Sequence, residues 1–510
     1  MTVDDFRRYS ICCGQVACLA LLLFVFGCEG SSDSKGGKEE RFAFEGRTIR
    51  AAVPKRLELP EKWESILDEL SAQTKAKYVL DEYDASGMSE SADAYFSDGQ
   101  PLGGGSLLVF PISQLAELVD RKLLAAIPKE QQTEENSDWQ GLFKGLRDNI
   151  ARQARQPVVV PLSSPVLVCY YRKDLLEQAG LSPPQTWDEY RKLLDKIDSW
   201  APGMTVVEPW SEQFRTTMFL ARAVSYAQPR GQVSLFFDIR TGEPLIDGPG
   251  FLRALEEAQQ AVEKMPAETR NHSPLDCRRQ VLSGKAALAI AFETGAENPV
   301  LPFPPDGGST DGTGKPGNIG QRPESMQIGF CRLPGSREAY SRSTNSWVMP
   351  RGETVNRTTL TAFSGLCAGV SAGQTPDGRN AGWNLLRTLV IPQNIESAIP
   401  PAARSFCREG DVNFATGWVG EDLAPAEKQL YFFVVAESLR DRQLIAELAV
   451  VGRLQFRRAL TDGLGSVLSG ESSPAETLES VARKWRAISG EIGVRRVLNS
   501  YRNSLNLPPL

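Results

Sequence analysis

PVVVPLSSPVLVCYYRKDLLEQAGLSPPQTWDEYRKLLDKI, Pro157 to Ile197, says more about architecture than any other run in the chain. Two apolar, β-branched stretches flank Leu162-Ser163-Ser164-Pro165. Pro161 and Pro165 lack a backbone N–H, so the run cannot be one continuous strand inside a sheet. It reads as a chain leaving one sheet and entering another. RKDLLEQAG then forms a short helix stopped by Gly180, because glycine takes the left-handed C-cap conformation without steric cost. Thr186-Trp187-Asp188-Glu189 is a capping box: the Thr hydroxyl accepts from the N–H of Glu189, whose carboxylate reaches back. Tyr190, Leu193, Leu194 and Ile197 continue an apolar stripe at helical spacing.

Upstream, RTIRAAVP (Arg47 to Pro54) is a strand pattern, followed by a helix with Trp63, Ile66, Leu67 and Leu70 on one face. YVLDEY (Tyr78 to Tyr83) and SLLVFP (Ser106 to Pro111) are further strands, and Leu115, Leu118 and Val119 mark a helix after them. This alternation is βαβ grammar and predicts mostly parallel sheets flanked by helices. Downstream, GKAALAIAFE, QIGFCRLPG and SGLCAGVSA read as strands. A helix with Trp383, Leu386 and Val390 halts at Pro392, and Ser473-Pro474-Ala475-Glu476 caps another. The Gly/Pro-rich stretch 302–325 has few apolar residues and is expected to be a mobile loop.

The chain has 510 residues, of which 41% are apolar and 24% charged, with net charge −6. That composition permits an ordinary core, and the even spread of charge argues against a nucleic-acid partner. The N-terminus differs. Arg7 and Arg8 precede an apolar run from Val16 to Phe26. At about a dozen residues it suits a secretion signal and falls short of the ~20 needed to span a membrane. It ends Val25-Phe26-Gly27-Cys28, which resembles the lipobox of bacterial lipoproteins and implies lipid on Cys28. Residues 1–28 are thus expected to be a lipoprotein-type signal, and 29–45 a flexible tether. Of nine cysteines, Cys12, Cys13 and Cys18 lie in the signal. Cys169 and Cys367 sit in apolar runs and are expected as buried thiols. One disulfide is conceivable among Cys277, Cys331 and Cys407, and sequence does not choose it. No CxxC spacing supports zinc.

The order of segments resembles the extracellular solute-binding protein family 1, which includes the maltose-binding proteins of ABC importers. PLSSPVLVCYYRKDLLEQAGLSPPQTWDEYRKLLDKI (Pro161 to Ile197) carries most of the resemblance, through its crossing strand, Tyr-Tyr pair, Lys-Asp dipeptide and Thr-Trp-Asp-Glu. LSGKAALAIAFET, GFCRLPG and IPPAARS add matches in the expected order. The resemblance implies an α/β, two-lobed periplasmic-binding-protein fold of type II-like topology, with a ligand cleft between the lobes. Lobe 1 would combine 46–162 with 332–395, and lobe 2 would combine 165–330 with 400–510. Hinges are expected near Ser163-Ser164, Leu333-Pro334 and Ala398-Pro400.

The implied function is an extracytoplasmic binding protein, periplasmic or cell-surface and tethered by lipid, that delivers a solute to ABC permease subunits. A mono- or oligosaccharide is the expected ligand, a monomer the expected state, and no cofactor or metal is expected. Sugars have apolar faces and hydroxyl rims, so aromatic residues near strand ends and turns are the candidate contacts. These are Trp210, Phe110, Tyr170 and Phe292, with Ser163, Ser164, Glu293 and Arg404 as polar partners. Trp187 and one of Tyr170 and Tyr171 are expected in the core. A sensor-linked binder, or one for a polyol, peptide or metal complex, is the alternative. A secreted carbohydrate-active enzyme is a remote third. The single histidine, His272, lies in a polar stretch, which removes a Ser-His-Asp triad, and no GxSxG, HExxH or P-loop motif occurs.

Overall fold

The computed structural model describes residues 44–54, 62–83, 96–97, 100–101, 105–133, 139–292 and 322–510, apart from positions 324, 351, 353, 392–393, 396–398, 400–403 and 421. Cys28, residues 1–43, and almost all of the stretch 302–325 therefore lie outside the described residues.

Strand β1 (Thr48–Pro54) is followed by helix α1 (Lys62–Thr74), β2 (Lys77–Tyr83), β3 (Leu107–Pro111), α2 (Leu115–Asp120) and α3 (Lys144–Asn149). A small hairpin, Arg152–Gln153 with Gln156–Pro157, leads into β4 (Val160–Pro161). The chain then crosses over. Beyond it lie β5 (Val168–Arg172), α4 (Trp187–Asp195), β6 (Thr205–Val207), α5 (Arg215–Ala227), α6 (Pro249–Lys264), α7 (Pro274–Leu282), β7 (Ala286–Ala291) and β8 (Ile328–Arg332). A hairpin, Ala339–Ser341 with Ser346–Val348, follows and packs on α5 and α6. β9 (Leu360–Thr361) and β10 (Leu366–Val370) carry the chain back, then α8 (Pro376–Val390) and α9 (Pro425–Leu439). β11 (Ile445–Ala446) pairs with β9, and α10 (Arg453–Leu468), α11 (Pro474–Ile492) and α12 (Val494–Ser504) complete the fold.

Two separate sheets result. The first runs β2-β1-β3-β10-β4 and the second β6-β7-β5-β8. Within them β2, β1 and β3 are mutually parallel, as are β6 and β7. The strands next to the crossings, β4, β5, β8 and β10, run antiparallel to their neighbours. β4 thus points the same way as β1, β2 and β3, and β8 the same way as β6 and β7, so each sheet is mostly parallel in direction, as expected, with one reversed strand, β10 in the first and β5 in the second. A strand that arrives from the other lobe enters its sheet from the opposite end to strands built by βαβ units, so it points the other way.

Burial follows from alternation. On the second sheet Val168, Tyr170, Ala289 and Phe330 face one core with α7 and α9, while Cys169, Tyr171, Leu288 and Ile290 face another with α4, α5 and α6. Helix α9 is apolar on several sides because it touches both lobes. Its Phe432 meets Phe143, beside α3, at 6.2 Å and Phe406 at 5.0 Å, and its Tyr431 meets Phe330 of β8 at 5.5 Å. The cap at α4 forms as expected on one side, with Glu189 N–H donating to Thr186 Oγ1. The returning bond to the Glu189 carboxylate comes from the N–H of Gln185, one residue earlier. No described helix is long and apolar enough to cross a membrane.

Candidate functional site at the junction of the lobes

The chain crosses from the first sheet to the second between β4 and β5 and back between β8 and β10, and these crossings meet at Ser163 and Ser164. Ser163 exchanges backbone hydrogen bonds with Leu366, and its hydroxyl also accepts from the Leu366 N–H at 2.9 Å. Gly365 makes this approach possible: its φ is +107°, and a Cβ there would sit 2.2 Å from Ser163 O. The Ser164 hydroxyl is 2.7 Å from Thr361 Oγ1, and the Ser164 N–H donates to Ser405 Oγ at 2.7 Å. The first and second crossings and the segment at Ser405, whose Cys407 O goes on to accept from the Phe143 N–H, are thereby tied at one point, with both serines fully buried. Of the hinge positions expected at 398–400, only Ile399 falls among the described residues.

Beside this node a seam separates the lobes. It holds a void of about 10 Å³ bordered by Ile112, Ser113, Ile150, Gln153, Ala362 and Glu447, room for about one water. Glu447 is the charged residue lining this void and is buried. Its Oε1 accepts from Arg453 Nη2 at 2.8 Å and Arg457 Nε at 2.9 Å, and its Oε2 accepts from Thr217 Oγ1 at 2.6 Å. Burial pushes the carboxyl pKa up, but Arg457 and Arg453 outweigh it and hold it below the usual range. Ala362 (φ +61°) and Leu448 (φ +43°) adopt left-handed backbone here, a conformation that costs a non-glycine residue about 1–3 kcal/mol and gathers at functional sites.

A second buried cluster lies deeper in the second lobe. Glu208 receives Arg222 Nη2 on both oxygens, at 2.7 and 2.9 Å, and Trp210 Nε1 at 3.0 Å. The Arg222 guanidinium lies 4.2 Å from the centre of the Trp187 ring. Burial lowers the Arg222 pKa, and the facing Glu208 more than restores it.

The expected contact residues are distributed as follows. Trp210 is 1% exposed, with its indole N–H committed to Glu208. Phe292 packs between Phe214 and Phe363 at 6.1 and 5.8 Å, so it meets the chain returning to the first sheet. Phe110 is enclosed in the first sheet, and Tyr170 packs on Phe330 at 4.8 Å in the core shared with α9. Arg404 is half-buried and directs Nε to Ile399 O. Glu293 lies outside the described residues. Ser163, Ser164 and Phe292 come together around the crossings, whereas Phe110 and Tyr170 lie in one core and Trp210 in the other. Sequence reasoning missed Glu447. The signal available was an acid inside the apolar run LIAELAVV (Leu444 to Val451), where a lone charge demands buried partners. Trp347 stacks edge-on to Tyr340 at 5.7 Å, with Arg253 5.1 Å from its ring centre, on the hairpin over α5 and α6.

Helix α12, whose Val497 and Tyr501 sit in the second-lobe core, also reaches the first lobe. Arg496 Nε lies 2.7 Å from Asp120 Oδ2 on α2. The Ala154 N–H donates to Asn503 O at 2.8 Å, and the Arg155 N–H to Asn506 Oδ1 at 2.9 Å. These polar contacts hold the lobes together across the seam.

A family model described as bacterial extracellular solute-binding protein matches residues 59–323, just over half the chain. Among solved structures, the sugar-binding protein MalE of Xanthomonas citri superposes with a TM-score of 0.60 at 16% identity, covering 87% of this chain and 98% of its own. Maltose-bound MalE3 of T. maritima gives 0.57 at 16%, covering 86% and 99%. An ABC transporter solute-binding protein from Agrobacterium radiobacter K84, in complex with ribitol, gives 0.57 at 16%, covering 87% and 99%. No curated relative matches the chain by sequence.

Proposed function

Since the chain belongs to the bacterial extracellular solute-binding protein family, we propose that it captures a carbohydrate or polyol outside the cytoplasmic membrane and hands it to an ABC importer. One observation carries the reading: two separate sheets are joined by a crossing out and a crossing back that meet at Ser163 and Ser164. A single node of that kind is a pivot, and two bodies on one pivot can open and close on a solute. A ligand touching both bodies favours the closed state by its differential affinity for it. Similar folds bind maltose in T. maritima MalE3 and ribitol in the Agrobacterium protein, which supports the ligand class.

In this reading the first lobe comprises the first sheet with α1, α2, α3 and α8, and the second comprises the second sheet with α4 to α7 and α10 to α12. Phe292, Phe363 and Glu447 border the path into the seam, and Trp210 stiffens the wall behind it. Lipid on Cys28, with residues 29–45 as tether, keeps the protein at the membrane. Binding proteins of this kind release their ligand unchanged, so no catalytic step is assigned.

Thermal melting of the purified chain against a panel of mono- and oligosaccharides and polyols tests the proposal. A true ligand at 100 times its Kd adds about 2.7 kcal/mol to stability and raises Tm. Silence across the whole panel, with a shift from amino acids, peptides or metal chelates instead, overturns the ligand class.

A further inference from the structure

Cys169 on β5 and Cys331 on β8 stand directly opposite each other in an antiparallel pair. The Lys173 N–H donates to Gln327 O at 2.9 Å, which fixes the phase of the ladder. Antiparallel pairs alternate between hydrogen-bonded and non-bonded types. Counting along the register from that bond makes Cys169–Cys331 a hydrogen-bonded pair, with Cα atoms about 5.5 Å apart. That is inside the window of about 4.4–6.8 Å that a disulfide spans. Both side chains lie on the face that packs against the second-lobe core, where the Cys169 thiol is 3.9 Å from Tyr170 O and the Cys331 thiol 3.9 Å from Pro184 O, and the neighbouring Cys331 thiol together with burial pushes the Cys169 thiol pKa up. Cys277, Cys367 and Cys407 are fully buried.

We propose that Cys169 and Cys331 are the redox site of this protein, closing to a reducible cross-strand disulfide that staples β5 to β8. The proposal rests on the export implied by the family, because an extracytoplasmic compartment supplies disulfide oxidants. Cys331 is partly exposed and Cys169 is fully buried, so Cys331 reacts first. Its thiolate attacks a sulfur of the oxidant's disulfide, that S–S bond breaks, and one oxidant thiolate leaves. The Cys169 sulfur, losing its proton, then attacks Cys331 in the mixed disulfide and expels the second oxidant thiolate. Two protein thiols are oxidised, one oxidant disulfide is reduced to two thiols, and the protons move from protein to oxidant. At a hydrogen-bonded pair the Cβ atoms start further apart than the 3.5–4.5 Å of a relaxed disulfide. β8 is an edge strand and can draw inward, at the cost of strain that leaves the link easily reduced. The staple sits where both strands leave the second sheet for the crossings, so it fixes the base of the pivot.

Oxidised glutathione is the probe. The purified, folded full chain is incubated with it, quenched by alkylation under denaturing conditions and mapped by peptide mass. The expected result is a peptide pair joined through Cys169 and Cys331, two hydrogens lighter than the reduced pair, with Cys277, Cys367 and Cys407 alkylated. The Cys169→Ser variant should stop at a glutathione adduct on Cys331. A wild-type protein that keeps a lasting glutathione adduct on Cys331, or both thiols intact, or pairs either cysteine elsewhere, overturns the proposal. Because the oxidant is supplied directly, a protein that binds no sugar still gives a clear answer.

Discussion

The Ser164 N–H donates to the Ser405 hydroxyl at 2.7 Å, so the first crossing between the sheets is held by a segment 241 residues further along the chain. Both residues are buried. Removing the acceptor strands a buried donor, which costs about 1–3 kcal/mol. The Ser405→Ala variant should lose that much stability in denaturant titration, while Ser405→Thr, which keeps a hydroxyl, should lose less. Equal losses in the two variants would mean the hydroxyl is not what holds the node.

The ion pair of Arg496 with Asp120 behaves differently, because Arg496 is about half exposed (47%). Exposed pairs contribute about 0–1 kcal/mol. Arg496→Ala should therefore change global stability little, yet shift the ligand-free lobes toward open. Small-angle scattering should show a larger radius of gyration without ligand and a wild-type radius with it. An unchanged ligand-free radius would assign closure to other contacts.

Glu447 gives a pH signature. Its carboxyl is held below its ordinary value near 4.5 by Arg457 and Arg453 against burial. A group with a lowered folded pKa contributes stability that is present above its unfolded pKa and lost as pH falls through the folded one. Glu447→Gln should destabilise the chain by about 3–5 kcal/mol at neutral pH, because two buried guanidinium groups lose their anion. Melting curves of variant and wild type should converge below pH 4.5. A constant difference down to acid pH would count against this origin.

Gly329 faces Tyr171 across the second sheet, and a Cβ there would lie 2.2 Å from Tyr171 Cζ. Gly329→Ala must push the ring aside, an overpacking cost of about 1–3 kcal/mol. The double variant Gly329→Ala with Tyr171→Ala should recover part of that loss relative to the sum of the singles, as a shared contact requires. Strict additivity would place the ring elsewhere.

These sites differ in how far they could be read from the chain alone. The run from Pro157 to Ile197 was legible because its signals are local: prolines that break a ladder, a glycine stop, and a cap closed within a few residues. The pivot at Ser163 and Ser164 was legible as a crossing, but its partners Thr361, Leu366 and Ser405 lie 197, 203 and 241 residues away. Nothing local names them. The reversed course of β5 and β10 depends on which lobe the chain comes from, which strand periodicity does not encode. Glu447 is a mixed case: Arg453 and Arg457 are only 6 and 10 positions away, whereas Thr217, 230 positions distant, has no local signal. The hairpin at 339–348 stays with α5 and α6, so the chain reaches the first sheet at Leu366, later than the boundary expected at 332. The cysteine partnership emerged only with the register of β5 and β8.

Helix α9 has one more implication. Its Phe432 is wedged between Phe143 and Phe406, and its Tyr431 against Phe330. Such a greasy seam resists parting far more than the wet contacts of α12 do. The molecule should therefore open like a book, with this aromatic column and the serine node as the binding and α12 as the clasp on the cover. A solute would then enter from the clasp side, and substitutions along the binding would alter how wide the pages turn without touching what they hold.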